Sequence, residues 1–429
     1  MASACPSPQP GHNLPQKEQG ELGDTQGPGP RSSSPEHSNP GVKQSPDSTL
    51  DLSSFSTSKL LELSRSTRAL TEAFEAGSLP AVAARLQATL QSLENAQLNI
   101  GITGVPGSGK STLVNALRGL GDEEANSAAT GVVEMKTGPT AYLHPKYPNV
   151  VIWDLPGIGP TILQVHRSLQ QLLRQPYDLL LILSAGRFPN SLAQLACRLD
   201  QQGAHFCLIR SKVDVDVAAA CSRRPSTFSE EAVLGQIRDD CAKQLEGEGL
   251  KGPRVFLLST FNLKKYDFQQ LQEAMVQGLA SHKRRALLVA MPNVSKNILE
   301  KKAAALCQHI WLVALVACSI NQSPVPGVKD VACDLAMLTR CLQGYRRCLG
   351  LDTGLQGEAK DTINQAQVVE LLRRAVEEAS AFTHELLRVP VLGNLTTQGI
   401  SFGAIYQMLR RSLDMAVKEA QDMLVGPDC

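Results

Sequence analysis

The 429-residue sequence predicts an α/β domain set between helical segments, and two observations predict it. From residue 98 to about residue 279, short apolar runs closed by Gly, Asp or Ser alternate with amphipathic stretches, as in parallel strands joined by helices. Apolar residues at helical spacing occupy residues 58–97 and 282–424, where strand patterns stop. The expected fold class is therefore a mostly parallel sheet flanked by helices, inserted between N-terminal helices and a C-terminal helical domain.

The composition divides the chain into four segments. Residues 1–52 are rich in Pro, Gly and Ser, so they cannot bury enough apolar surface to offset their ordering entropy and are expected to be disordered. Residues 53–97 are expected to form helices, with a break at residues 77–80. Residues 98–280 form the predicted α/β domain, and residues 281–429 form the helical domain.

Charge and cysteine content exclude several classes of protein. The net charge is +1, so no broad electrostatic field favours nucleic acid. No secretory signal begins the sequence, and its 11 cysteines include no Cys-x-x-Cys pair, which indicates a reduced, cytoplasmic protein that is not secreted. The longest uncharged apolar run, residues 310–320, is shorter than the about 20 residues of a transmembrane helix and is expected to be a buried helix.

Residues 104–111, GVPGSGKS, match the phosphate-loop pattern G-x-x-x-x-G-K-[ST] between a predicted strand and a predicted helix. Glycine lets consecutive backbone N–H groups approach phosphate oxygens at a helix N-terminus. Lys110 would reach the β- and γ-phosphates, and the Ser111 hydroxyl would bind Mg²⁺. The alternative is a Gly-rich turn with a surface lysine. The predicted nucleotide contacts in this loop are Gly104, Gly107, Ser108, Gly109, Lys110, Ser111 and Thr112.

A second motif, Asp154-Leu155-Pro156-Gly157, closes the predicted strand NVVIWD. Its position after the phosphate loop is that of the carboxylate that helps to hold Mg²⁺, so Asp154 is a predicted metal ligand. The Gly157 amide could then sense the γ-phosphate. Taken alone, the motif is equally well explained as a turn that ends a strand.

A third motif, Ser211-Lys212-Val213-Asp214, follows another predicted strand and would select the base. A carboxylate at Asp214 can accept hydrogen bonds from guanine N1 and N2, whereas adenine offers no such donor pair. Lys212 would lay its stem over the ring, and Ser259 is a weaker candidate for a contact to guanine O6. The predicted ligands are therefore GTP and GDP, although the motif alone is equally typical of a solvated turn.

The phosphate loop, TGVVEMK, WDLPGIG, RSKVD and VFLLS occur in this order, and with them the chain resembles the immunity-related GTPases, the interferon-inducible GTPases. The resemblance covers about residues 58–424, because residues 323–352 and 389–409 also look like that family's C-terminal helices. It implies a Ras-like domain and GTP hydrolysis of the GKS subclass. It also implies that Thr130, in switch I, meets Mg²⁺ and the γ-phosphate, and that Glu134 acts in hydrolysis within face-to-face dimers. Lys110, Thr130 and Glu134 are thus the predicted catalytic residues.

The same resemblance implies assembly through the GTPase domain, at intracellular membranes, in innate cell-autonomous defence. The sequence departs from the family pattern in two places, which limits what the resemblance implies. No glutamine lies beside Gly157 to orient water, and the sequence begins Met-Ala-Ser, which lacks an N-myristoylation signal. Turnover is therefore expected to be slow without a dimer partner. A slowly hydrolysing, nucleotide-binding scaffold in a specialised cell is the alternative function.

Two segments are candidates for peripheral membrane contact. Residues 282–285, HKRR, could meet anionic lipid, and residues 389–411 resemble membrane-binding helices of the family. A solvated charged face explains the first segment as well, and packing within a helical bundle explains the second.

Overall fold

The computed structural model describes residues 79–131, 138–159, 168–170, 172, 177–319, 323–352, 363–379 and 396–425. All of them belong to one compact unit, Glu62–Cys429. The predicted disordered leader, the first predicted N-terminal helix, Glu134 and residues 389–395 lie outside the described part of the chain.

Six strands form the main sheet: β1 (Leu98–Gly104), β2 (Thr140–Leu143), β3 (Val150–Asp154), β4 (Leu179–Ser184), β5 (Phe206–Arg210) and β6 (Val255–Leu257). Their order is β2-β3-β1-β4-β5-β6, and all neighbours pair in parallel except β2, which is antiparallel to β3. The mostly parallel sheet predicted from the apolar runs is confirmed. β1 lies in its centre, so the loop that follows β1 emerges between the carboxyl ends of β3 and β4.

Helices cover both faces of this sheet, which is why its strands are nearly continuous apolar runs. On one face, α2 (Lys110–Arg118) and α6 (Phe268–Gln277) contribute to an apolar cluster with the buried side chains of β1 and β3. On the other face, α3 (Asn190–Gln201) and α5 (Glu230–Gly247) contribute to a second cluster. The short helix α4 (Val213–Arg223) follows β5 and buries Val213.

A separate helical core lies beyond the sheet. It contains α1 (Leu79–Glu94) through Leu86 and Leu90, together with the C-terminal helices. These are α7 (Ser281–Ala290), α8 (Lys296–Cys307), α9 (Ile310–Ser319), α10 (Leu335–Cys348), α11 (Gln365–Ala379) and α12 (Thr396–Val425). Because α1 precedes the sheet yet packs with α9, the α/β part is inserted between helices of one bundle.

Helix α9 buries most of its side chains, as expected for an uncharged apolar run. Among the described residues, Lys296–Ser319 is long and apolar enough to cross a membrane by length and composition, but 56% of its most apolar window is buried inside the fold, as in a core helix. The expectation of helices alone after residue 282 is wrong in one place. β7 (Ser323–Pro324) and β8 (Ala332–Cys333) pair antiparallel, because the Pro- and Gly-containing loop between them folds back on itself.

A buried lysine joins the ends of two helices. The Lys302 side chain is 1% exposed, and its ammonium donates to the carbonyls of Val289 (3.2 Å) and Met291 (2.7 Å) at the end of α7 and to that of Cys348 (3.0 Å) at the end of α10. The last carbonyls of a helix have no partner within it and form the negative end of its dipole. Lys302 therefore satisfies and neutralises two helix ends at once.

The basic run at residues 282–285 is engaged within the fold. Lys283 forms an ion pair with Asp178, which also accepts a hydrogen bond from the backbone N–H of Asn99 (2.9 Å) at the start of the sheet. Arg285 donates to the carbonyl of Leu93 in α1 (3.4 Å). These contacts tie α7 to the sheet and to the helical core.

Candidate nucleotide site

The phosphate loop has the backbone that its glycines predict. Gly104, Gly107 and Gly109 have φ values of 144°, 73° and 86°, in the region that side-chain-bearing residues rarely adopt. A Cβ on Gly104 would lie 2.0 Å from the carbonyl oxygen of Leu183 in β4. Glycine is therefore required at the point where the chain leaves β1 and turns beside β4.

Lys110 is the first residue of α2 and lies over the loop. Its ammonium donates to the carbonyl of Val105 at 3.3 Å, a long hydrogen bond, and the residue is 8% exposed. The Ser108 hydroxyl is buried and has no hydrogen-bond partner among the described residues. The loop thus holds a cation and a polar group close to the helix N-terminus, where an anion is stabilised.

The structure brings two predicted metal ligands together. The Ser111 hydroxyl donates to Oδ2 of Asp154 at 2.6 Å, and Asp154 is fully buried at the end of β3. Asp154 pairs in register with Ile102 of β1, which places its carboxylate beside the loop that follows β1. A hydroxyl and a carboxylate in contact form an oxygen donor set of the kind that Mg²⁺ prefers.

The segment after Asp154 is fastened to β1 by backbone hydrogen bonds. The N–H of Leu155 donates to the carbonyl of Ile102 and the N–H of Ile158 donates to that of Gly104, both at 2.9 Å. Gly157 lies between these two anchors and next to the phosphate loop. The predicted γ-phosphate contact is therefore positioned by the backbone rather than by a side chain.

The base-selecting motif is joined directly to the phosphate loop. The Ser211 hydroxyl donates to the carbonyl of Ser108 at 2.7 Å and is buried. This contact of Ser211 was not predicted, and its place at the head of the S-K-x-D motif is the signal that could have indicated it. Lys212 follows with φ 58°, and the left-handed turn that it makes begins α4.

The first turn of α4 carries two acids, and the structure separates them. The buried guanidinium of Arg210 forms an ion pair with Asp216 and also donates to the carbonyl of Ser211. The Asp216 carboxylate is therefore already paired with the Arg210 guanidinium. Asp214, half-buried, is the acid of this turn that remains for a base, and Ser259 is buried at the end of the neighbouring strand β6.

Asn115 and Arg118 of α2 hold the segment that leads to Thr130, and sequence reasoning missed both. Asn115 accepts from the N–H of Ala128 (2.6 Å) and donates to its carbonyl (3.0 Å), and Arg118 donates to the carbonyl of Asn126 (2.8 Å). Thr130 is exposed two residues beyond this anchor. The only sequence signal for this role was that Asn115 and Arg118 are polar residues among the buried apolar residues of α2.

Comparison with known proteins places these motifs in one family. The family model for interferon-inducible GTPases (IIGP) matches residues 64–420. Interferon-inducible GTPase 5 of Rattus norvegicus is 38% identical over 373 residues, which cover 82% of this chain and 80% of the rat protein. Interferon-gamma-inducible GTPase 10 of Mus musculus is 33% identical over 359 residues, which cover 81% of this chain and 86% of the mouse protein.

Solved structures are more distant. A mutant NFeoB of S. thermophilus bound to GMPPNP matches over 74% of this chain and 100% of its own, with 17% identity and a TM-score of 0.28. The family model, in contrast, spans most of the sequence, including both the sheet and the helical bundle. The chain therefore belongs to the interferon-inducible GTPase family.

Proposed function

We propose that this GTPase binds GTP and GDP with Mg²⁺ at the phosphate loop, and hydrolyses GTP as a homodimer or larger assembly in innate defence inside the cell. The observation that supports the site most strongly is the 2.6 Å contact between Ser111 and Asp154 under a loop whose glycines adopt positive φ. The contact from Ser211 to the same loop supports recognition of base and phosphates by one connected site.

In this proposal Ser111, Thr130 and Asp154 would hold Mg²⁺, and Gly104, Gly107, Ser108, Gly109, Lys110 and Thr112 would surround the phosphates. The metal would neutralise charge between the β- and γ-phosphates. Lys110 would exchange its long bond to Val105 for charge-assisted bonds to phosphate oxygens. Gly157, fixed between two backbone anchors, would present its N–H to the γ-phosphate.

Hydrolysis needs a group that orients water, and Leu155–Ile158 supplies no glutamine for it. We assign that role to Glu134, completed across a dimer of nucleotide faces. The rate of GTP turnover per molecule of the full chain is therefore expected to rise with protein concentration, and Glu134→Gln should abolish the rise. Glu246→Gln, an exposed position on α5, is the matched control.

The outcomes of this turnover experiment separate the two candidate functions. A rate per molecule that does not change with concentration contradicts the dimer arrangement. Tight binding of GTP without detectable turnover would instead support the nucleotide-binding scaffold. The assay is phosphate release measured over a wide range of protein concentrations at saturating GTP and Mg²⁺.

Base selection gives a separate prediction. Asp214→Asn should weaken GDP binding by about tenfold to a hundredfold, because it removes a charged acceptor for guanine N1 and N2. The same variant should bind xanthosine diphosphate better than the wild type does, since its amide can donate. Asp216 cannot substitute, because Arg210 holds it.

Titration with both diphosphates measures this change, with Asp239→Asn on the exposed face of α5 as the control. GDP affinity equal to that of the wild type would remove Asp214 from the base site. Loss of affinity for both nucleotides in the control would show a general charge effect instead.

Assembly at intracellular membranes completes the proposal. The structure gives both predicted membrane segments internal partners: Lys283 pairs with Asp178, and Ile405, Met408 and Leu409 of α12 are buried in the helical core. For the second segment these contacts favour the alternative of packing within a helical bundle. For the first segment they differ from both expectations, since Lys283 is held by an internal ion pair rather than by lipid or by solvent alone. The proposed function therefore rests on assembly through the nucleotide face more than on lipid contact by these segments.

A further inference from the structure

A cavity of about 440 Å³ lies where α6 meets α7 and α8. None of its lining residues belongs to the nucleotide motifs, and its volume is in the range of small-molecule sites, about 300 to 1,000 Å³. It is therefore a second concave site, at the junction of the sheet layer with the helical bundle.

The lining of this cavity carries an excess of positive charge. Arg284, Arg285 and Lys301 line it, and Glu273 is the single acid among its lining residues. Lys301 pairs with Glu273 at 2.8 Å, and this hydrogen bond holds the pKa of the Glu273 carboxyl below its ordinary value. These two charges cancel, so the two guanidinium groups of α7 remain without an acid in the cavity lining.

Two buried polar atoms of the lining have no hydrogen-bond partner among the described residues. One is Oε1 of Gln272, a residue 2% exposed, whose amide is fixed because its Nε2 donates to the carbonyl of Pro292 at 3.2 Å. The other is Nε of Arg285, whose Nη1 makes only a 3.4 Å bond to Leu93. Buried polar groups are nearly always paired. A ligand that fits here would therefore donate a hydrogen bond to Oε1 of Gln272 and accept one from Nε of Arg285.

We propose that the cavity binds a small phosphorylated polyol. The phosphate would accept hydrogen bonds from Arg284 and Arg285, whose planar guanidinium groups suit phosphate oxygens. A hydroxyl group of the polyol would donate to Oε1 of Gln272 while the phosphate accepts from the two guanidinium groups. Such a ligand is either a soluble sugar or inositol phosphate, or the headgroup of an inositol lipid.

The test uses the full chain loaded with GDP, and its probes are inositol monophosphate, myo-inositol and inorganic phosphate. Calorimetry should show binding of one inositol monophosphate per chain, with weaker binding of the other two probes, and the bound probe should raise Tm. Arg285→Gln should weaken this binding by about tenfold or more, since it removes a charge-assisted bond. Ala304→Phe, at the exposed edge of the lining, should block the cavity without removing a charge.

Arg374→Gln on α11 is the matched control, because it removes an exposed guanidinium that is not part of the cavity lining. Thermal unfolding of each variant without ligand reports whether it folds, so Ala304→Phe remains informative if Arg285→Gln does not fold. Vesicles of phosphatidylcholine with phosphatidylinositol phosphate identify the source. Binding to these vesicles that soluble inositol monophosphate displaces supports a lipid headgroup, and binding of the soluble probe alone supports a metabolite.

Three results would overturn the proposal. The first is the absence of inositol monophosphate binding to the wild type. The second is an affinity that neither Arg285→Gln nor Ala304→Phe changes. The third is inorganic phosphate binding as tightly as inositol monophosphate, which would show that the polyol hydroxyls contribute nothing to recognition.

Discussion

Lys110→Ala is expected to lower the affinity for GDP and GTP by about a hundredfold or more, because it removes the one cation of the phosphate loop. Lys110 is 8% exposed, and its ammonium donates a hydrogen bond to the carbonyl of Val105, 3.3 Å away. A phosphate oxygen would replace that long bond with charge-assisted ones, each about 1.5 to 3 kcal/mol, and two of these correspond to at least a hundredfold.

Titration with a fluorescent GDP analogue measures the effect, and Lys251→Ala, an exposed lysine before β6, is the matched control. The folded state should be unaffected, since Lys110 is the first residue of α2 and its loss leaves the glycine geometry intact. Thermal unfolding without nucleotide checks this point. GDP affinity within about threefold of the wild type would contradict the assignment of this loop to the phosphates.

The sheet could be predicted from sequence because five of its strands are apolar runs, and β1, β4, β5 and β6 are buried on both faces. Such strands are short apolar runs, as in LLLILS of β4, and the phosphate loop marks the end of β1. β2 could not be predicted in this way. Its four residues alternate between half-buried and exposed at the sheet edge, so they form no apolar run.

The individual site motifs were readable, but the contacts that join them were not. Ser211 and Ser108 are separated by 103 residues, and only the parallel order of β1, β4 and β5 brings them within 2.7 Å. The choice between Asp214 and Asp216 likewise depends on Arg210, which enters from the strand before them. Local patterns give residue types and spacing, whereas these choices are made by tertiary packing.

In the helical bundle, too, local sequence patterns predict the elements but not the contacts between them. Helical periodicity identified α1 and the C-terminal helices, but it could not indicate that Leu86 and Leu90 share a core with α9 and α12. It also gave no sign of Lys302, because a lysine in an amphipathic helix is normally solvated. The burial of this lysine depends on α7 and α10 ending at the same place.

Lys302→Met is expected to lower the free energy of unfolding by about 3 to 5 kcal/mol. Methionine fills a similar volume but donates no hydrogen bond, so the carbonyls at the ends of α7 and α10 lose a shared partner in a buried place. The side chain of Asn293 still donates to the carbonyl of Cys348 at 3.3 Å. The loss of stability is therefore smaller than it would be if all three carbonyls that accept from Lys302 were left unpaired. Lys296→Met, exposed on the first turn of the same helix, should change the stability little.

The pH dependence tests the same contact independently, by urea unfolding of wild type and Lys302→Met. Burial lowers the pKa of Lys302 from 10.5 to about 8, so between these values the unfolded chain holds a proton that the folded chain has released. Stability from this group therefore rises with pH across that window, by at most about 1.4 kcal/mol per pH unit, and is lost as pH falls through 8. The difference in unfolding free energy between the two proteins should widen from pH 8 to 10. A difference that stays constant would mean that the folded and unfolded chains bind this proton equally, and that Lys302 is not held in a desolvated site.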